Sequence, residues 1–180
     1  MGLTGDIFSK YAALCDYCEK FWQSVSKKYP KDIACHAGCG ICCELQSVNL
    51  LEAYSIYNVL RLNEKKMETE QKSSCVFLLN DTCSIYSARP IICRTHGLVI
   101  KSVEFTSSFS ITCSYNFHYT DDVPHDAILD IDLITKNLIR LNYAFCMVIG
   151  KKQIASERIE LSQIASGKLP IEIQNAFEKL

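Results

Sequence analysis

Eleven cysteines in 180 residues, four of them crowded into the stretch Cys35–Cys43, constrain this chain more than any other feature. Thiols at that density are cross-linked as disulfides, ligate a metal, or pack as small hydrophobes. A disulfide framework expects an even count and an export signal. The opening Met1-Gly-Leu-Thr-Gly-Asp6 carries neither a basic nor an apolar segment, and Asp6 stands where the myristoylation pattern wants Ser or Thr. The expectation is therefore a reducing cytoplasm, in which clustered cysteines read as metal ligands or redox centres.

Composition narrows the partners. Nineteen basic residues balance twenty acidic ones, for a net charge of -1, and no run of Lys or Arg offers a footprint for nucleic acid or anionic lipid. The longest apolar runs, such as Ala144 to Ile149, are far too short to span a bilayer. A metal ion is the expected partner, with no nucleic acid and no membrane; the sequence names no protein partner. The chain is 48% hydrophobic, enough to bury a core.

The fold expected is α+β and mostly α, with helices around a small, irregular, metal-stapled centre containing one β-hairpin. Residues 1–34 read as an amphipathic helix, 35–118 as the cysteine-rich core and 119–180 as helices packing on it, all within one domain. Phe8, Tyr11, Cys15, Cys18, Trp22 and Val25 recur at steps of three and four, predicting a helix from Asp6 to Lys28 that ends at Tyr29-Pro30. Asn49 with Glu52 predicts a capped helix running through Leu60. The polar stretch Asn63 to Ser74 reads as a connection. Cys75 to Tyr86 reads as a hairpin turning at Asn80-Asp81, and Pro90 as the first residue of a short helix carrying Cys93. Short strands are expected over Leu98 to Phe105 and Phe109 to Cys113. A long helix is expected from Asp132 to Ile149, followed by two shorter ones opening near Ser156 and Pro170.

Short loops between cysteines matter because they fold back and turn two sulfurs toward one ion. Ligands of one zinc lie within about 4 Å of each other, as Zn–S bonds are about 2.3 Å. Gly38 and Gly40 sit between the thiols, where positive φ and close backbone approach are most useful. Cys42 and Cys43 are neighbours, and both serving one ion would contort the backbone. They more naturally serve two centres, or a ligand and a supporting thiol; a vicinal disulfide would be strained. Cys75, Cys83, Cys93 and Cys113 supply four more thiols. On an ideal hairpin Cys75 lies about 13 Å from the position of Cys83, at about 3.3 Å per residue, which keeps the two out of one zinc site. The eight thiols then divide between two sites, or between one site and supporting positions.

Cys93 is expected in the first turns of its helix beside Arg89 and Arg94. That setting lowers a thiol pKa and offsets the negative charge of clustered thiolates. The plainer reading of both arginines is ordinary surface ion pairing. Taken together, Cys35-x3-Cys39-x2-Cys42-Cys43, Cys75-Val-Phe-Leu and Cys83-Ser-Ile-Tyr-Ser-Ala-Arg-Pro-Ile-Ile-Cys93-Arg94 resemble the CxxCxxCC family, the zinc- or iron-chelating domains also called YkgJ-like cysteine-cluster proteins. The resemblance runs from Cys35 to Cys113. It implies metal binding by Cys35, Cys39, Cys42, Cys43, Cys75, Cys83, Cys93 and Cys113, and it supplies no reaction. Three residues rather than two separate Cys35 from Cys39, a departure from the family's spacing.

The cofactor expected is zinc or iron, a [4Fe–4S] cluster among the forms iron takes. An electron-transfer or redox protein is the second reading. C-x3-C-x2-C is also the spacing of radical SAM enzymes, but Ile41 stands where these usually carry an aromatic residue, and repeated βα units do not follow. A cysteine nucleophile paired with His36 or His96 explains fewer of the thiols. Cys15, Cys18 and Cys146 read as core rather than ligands, as do Phe77, Tyr86 and Phe145. His118 and His125 read as exposed.

Overall fold

The computed structural model describes residues 2–62, 75–118 and 122–180. It is mostly helical with small sheets, the α+β class expected from the sequence. The polar stretch Asn63 to Ser74 lies outside the described residues. The first helix, α1 (Leu3–Lys28), carries the apolar stripe inward, with Ile7, Tyr11, Cys18 and Val25 buried. It stops at Tyr29, ahead of Pro30, where proline withdraws an amide donor. The strand β1 (Ser47–Val48) leads into α2 (Leu50–Leu62).

The cap of α2 is built as its sequence implies, with one addition. Asn49 Oδ1 accepts the Glu52 amide at 3.0 Å, and Asn49 Nδ2 donates to Glu52 Oε2 at 2.9 Å. The other carboxylate oxygen, Oε1, accepts the Ile91 amide at 2.8 Å. Ile91 opens the helix that carries Cys93, so a buried carboxylate on one helix satisfies the first amide of another.

Then come β2 (Leu78–Leu79) and β3 (Thr82–Cys83), antiparallel, with Leu78 opposite Cys83. Asn80 and Asp81 both take positive φ, 47° and 58°, as a two-residue hairpin turn that follows strand twist requires. The helix α3 (Ile91–Thr95) has Pro90 as its cap rather than its first residue. The strands expected around residues 98–113 shrink to β4 (Val99–Lys101) and β5 (Ser110–Ile111). A third strand, β6 (Ile128–Asp130), joins β4 in parallel, with Val99 opposite Ile128. It has no local sequence signature, because Leu129 is paired by a strand far away in the chain.

Asp130 caps α4 (Ile131–Val148), accepting the Leu133 amide at 3.3 Å. No helix opens near Ser156. The chain instead forms β7 (Ile159–Glu160), antiparallel to β1, before α5 (Leu161–Ala165) begins behind a Glu160–Gln163 capping box. The last helix is α6 (Ile171–Phe177), following Pro170.

An aromatic cluster binds four helices together. Tyr54 of α2 stacks on Phe8 of α1 with ring centres 5.2 Å apart, meets Phe145 of α4 at 5.6 Å and takes Phe177 of α6 edge-on at 5.2 Å. The amide of Asn142, buried on α4, accepts the Leu51 amide at 3.0 Å and donates to the Ala155 carbonyl at 2.8 Å. Cys146 is fully buried here, as core. None of the helices among the described residues is long and apolar enough to cross a membrane.

Replacing Glu52, which is only 4% exposed, by alanine strands the Ile91 amide and the Asn49 side chain in the interior. The expected loss is about 3 kcal/mol in urea denaturation. Glu52→Gln, which keeps one acceptor oxygen, should lose less.

Candidate metal centre

The segment from Cys35 to Cys43 has no regular structure, and its shape comes from turns and from what surrounds it. The Cys39 amide returns to the His36 carbonyl at 3.1 Å and the Cys43 amide to the Gly40 carbonyl at 3.0 Å. Gly38 takes a φ of 90°. A Cβ on Gly40 would meet Leu78 Cδ2 at 2.8 Å, so the missing side chain is what lets the hairpin lie against the thiol loop.

Asn116 fixes the entrance to this loop. Fully buried, it accepts the Ala34 amide at 2.8 Å and donates through Nδ2 to the Gly97 carbonyl at 2.7 Å and to Cys35 Sγ at 3.3 Å. A Cβ on Gly97 would stand 3.2 Å from both Cys35 Sγ and Asn116 Nδ2. Thr112 completes the corner, accepting the Gly97 amide and donating to the Leu98 carbonyl, each at 2.8 Å. Neither Gly97 nor Asn116 was singled out by sequence reasoning. Their neighbours in Cys35 and Ala34 lie more than sixty positions away, and Gly97 beside His96 was the only local sign of a tight turn.

None of the cysteines is paired in a disulfide among the described residues. The eight expected at the site fall into two sets by mutual electrostatic influence. Cys35 responds to Cys113, Cys39 and Cys42. Cys93 responds to Cys75, Cys83 and Cys43, and Cys43 in turn to Cys75 and Cys83. Cys42 and Cys43 join the sets, through their peptide bond and through a thiol hydrogen bond from Cys43 to Cys42. Among the described residues, no three His, Cys, Asp or Glu side chains are drawn into a closed coordinating group. The sulfurs are neighbours rather than a formed cage.

Two expectations need correction. The ideal-hairpin distance between Cys75 and Cys83 does not apply, since β2 has only two residues and the Leu78 amide turns back to the Cys75 carbonyl at 3.1 Å. That turn brings Cys75 within the electrostatic reach of Cys83. Nor is the Cys93 thiol lowered. Burial pushes it up to about 12, the neighbouring thiols of Cys75, Cys83 and Cys43 add to the rise, and Arg89 only moderates it. Burial likewise raises Cys35, Cys42 and Cys83, and pushes Cys43 to about 11. These five are therefore held as neutral thiols, and a cation among them is what turns such groups into thiolates.

Arg89 and Arg94 are not surface ion pairs. Their side chains are 13% and 11% exposed, and both donate to Glu19 Oε2 on α1, at 3.2 and 3.4 Å. Arg94 is otherwise committed to backbone, with Nε on the Arg89 carbonyl at 2.8 Å and a terminal nitrogen on the Ser87 carbonyl at 2.7 Å. The Arg89 guanidinium lies 3.7 Å from the ring centre of Tyr86, which is exposed rather than core, and its Nε is buried with no hydrogen-bond partner.

His36 is exposed, its Nδ1 against the Ala37 carbonyl at 2.9 Å, and His118 and His125 are exposed as expected. His96 is half-buried. Cys18 is buried in the core, and the half-buried Cys15 faces Tyr11 and Arg94 rather than either thiol set.

Residues 34–114 match the family called CxxCxxCC, described as "Putative zinc- or iron-chelating domain". No curated protein and no solved structure matches the chain. The matched stretch contains both thiol sets and ends immediately after Cys113.

Asn116→Ala should cost about 2 kcal/mol in chemical denaturation, since it leaves the Ala34 amide and the Gly97 carbonyl unpaired inside the protein. Cys35 should at the same time become harder to ionise and react more slowly with a thiol reagent at neutral pH, because the Asn116 donor that favours its thiolate is gone.

Proposed function

We propose that this protein holds zinc or iron through the thiolates of Cys35, Cys39, Cys42, Cys113 on one side and Cys43, Cys75, Cys83, Cys93 on the other. What supports this reading is that all eight cysteines, drawn from four separate stretches of chain, lie within the residues that match the chelating domain, with Cys35 influenced by Cys113, Cys39 and Cys42 and Cys93 by Cys75, Cys83 and Cys43. Four thiolates are a complete ligand set for tetrahedral zinc, and equally for a [4Fe–4S] cluster.

The chemistry of the donors fits such a group. Thiols kept neutral by burial and by one another gain most from a cation that displaces their protons, because the charge they resist alone is offset by the metal. The Arg89 Nε–H, buried without a hydrogen-bond partner on the segment between Cys83 and Cys93, is a donor that a thiolate could use. The stretch from Cys35 to Cys43 has few apolar side chains of its own to order it. A bound metal would therefore contribute directly to its folding.

The role is structural or carrier chemistry rather than hydrolytic catalysis. Full sets of four leave no open coordination position, which a catalytic zinc needs. Electron transfer is the second reading if the metal is iron in a cluster, favoured by the half-buried setting of the thiols and the adjacency of Cys42 and Cys43. Cytoplasmic residence belongs with this proposal, because a reducing compartment keeps clustered thiols from oxidising to disulfides.

Elemental analysis and an absorption spectrum on anaerobically prepared protein test the proposal. Zinc gives a colourless protein with up to two ions per chain; an iron–sulfur cluster gives a brown one. Protein that carries neither metal and takes up neither on reconstitution would refute it. Cys39→Ser and Cys93→Ser should each reduce metal content and lower the melting temperature, as should a strong chelator. Cys15→Ser should leave metal content unchanged, because Cys15 faces Tyr11 and Arg94.

A further inference from the structure

Three charged side chains lie where α1, the Tyr86–Ala88 turn and α3 meet: Glu19, Arg89 and Arg94. One carboxylate between two guanidinium groups leaves a net positive charge in a place from which water is largely excluded. Such a charge is costly unless something negative is added nearby.

The two arginines are used differently. Arg94 spends its donors on Glu19 and on the carbonyls of Ser87 and Arg89, a clamp that closes the turn between Cys83 and Cys93. Its charge is felt by Tyr11, Cys15 and Cys18 on α1. Arg89 spends one terminal nitrogen on Glu19 and lays its face on Tyr86. Its Nε stays buried and unpaired, on the short turn that joins Cys83 to the helix carrying Cys93. Orphaned buried donors of this kind are rare in folded proteins. In the other set, the donor to Cys35 is the neutral amide of Asn116.

We infer that Arg89 is a positioning residue for the Cys43–Cys75–Cys83–Cys93 set, its buried Nε–H and its charge being reserved for thiolate sulfur, and that it makes this set the tighter of the two metal sites. The inference rests on the metal-binding reading above. Arg89 holds no metal itself. It stabilises the charged form of the ligands, and its packing on the Tyr86 ring holds it in place to do so. Four thiolates around a divalent cation carry a formal charge of about -2. The surplus charge of the arginine pair offsets part of it, on one side only.

The test is an anaerobic titration of the metal-free full chain with Co2+, following the sulfur-to-cobalt absorption band and competing with a chelator. The parent protein should bind two equivalents, one more tightly than the other. Arg89→Gln should weaken the tighter one by about tenfold or more, the size of effect that loss of a ligand-supporting hydrogen bond produces, and leave the weaker one unchanged. Arg89→Lys, which keeps the charge and loses the fork, should fall between.

Glu19→Gln separates this role from simple bracing. It breaks the same ion pair but leaves Arg89 its charge and its Nε–H, so the tighter site should hold or gain affinity. If Arg89→Gln fails to fold, Arg89→Lys and Glu19→Gln still decide the matter. Loss of Co2+ affinity in Glu19→Gln as large as that in the Arg89 variants would overturn the inference, as would Arg89 variants with both sites unaltered. A parent chain that bound no Co2+ would overturn the metal-binding reading and take this inference with it.

Discussion

The cysteine-rich end of the molecule turns on the cost of gathering groups that ionise to the same charge. A thiol placed among other thiols and partly away from water resists losing its proton, and here Cys35 of one set and Cys43 and Cys93 of the other are pushed up by both effects. The surrounding structure has to hold the sulfurs together without help from their chemistry. It does so with packed helices and a few buried polar contacts whose partners are far apart in sequence. The aromatic cluster around Tyr54 gives α1, α2, α4 and α6 a common core. Glu52 then ties α2 to α3, and Asn116 ties the thiol loop to Gly97.

Each of these contacts satisfies a backbone group that would otherwise be costly to bury, so they bear on stability and on placement together. The Glu52 carboxylate is an example. It closes the cap of its own helix and also receives the first amide of the helix that carries Cys93. The position of one sulfur of the second set therefore depends on a side chain from α2, whose identity was readable only as a cap. The Asn116 amide plays the corresponding part for Cys35.

Local chemistry was legible in the sequence, and long-range chemistry was not. The stripe of α1, the Asn49–Glu52 cap and the Asn80-Asp81 turn each lie within a few residues of what they determine, and each forms where its residues imply. The parallel pairing of β6 with β4 and the short ribbon of β1 with β7 join distant segments through two or three residues apiece, too few for a periodic pattern. The same limit explains the two corrections at the site. The neighbours of Cys93 in sequence, a helix start and two arginines, favour the thiolate, whereas the packing around it favours the thiol. Cys75 was placed by an ideal strand, whereas the chain turns between Cys75 and Leu78. Arg89 and Arg94 show the reverse case: two cations spaced like any surface pair are enclosed because α1 lies across them.

The hydrogen bond from the Cys43 thiol to the Cys42 sulfur has a consequence of its own. Such a bond exists only while a proton sits between the two atoms. Remove the protons of both thiols, and the attraction across this single peptide unit, whose Cα atoms are about 3.8 Å apart, becomes repulsion between two anions. The shared proton is thus a latch joining the halves of the cysteine-rich region, and full ionisation of the pair opens it.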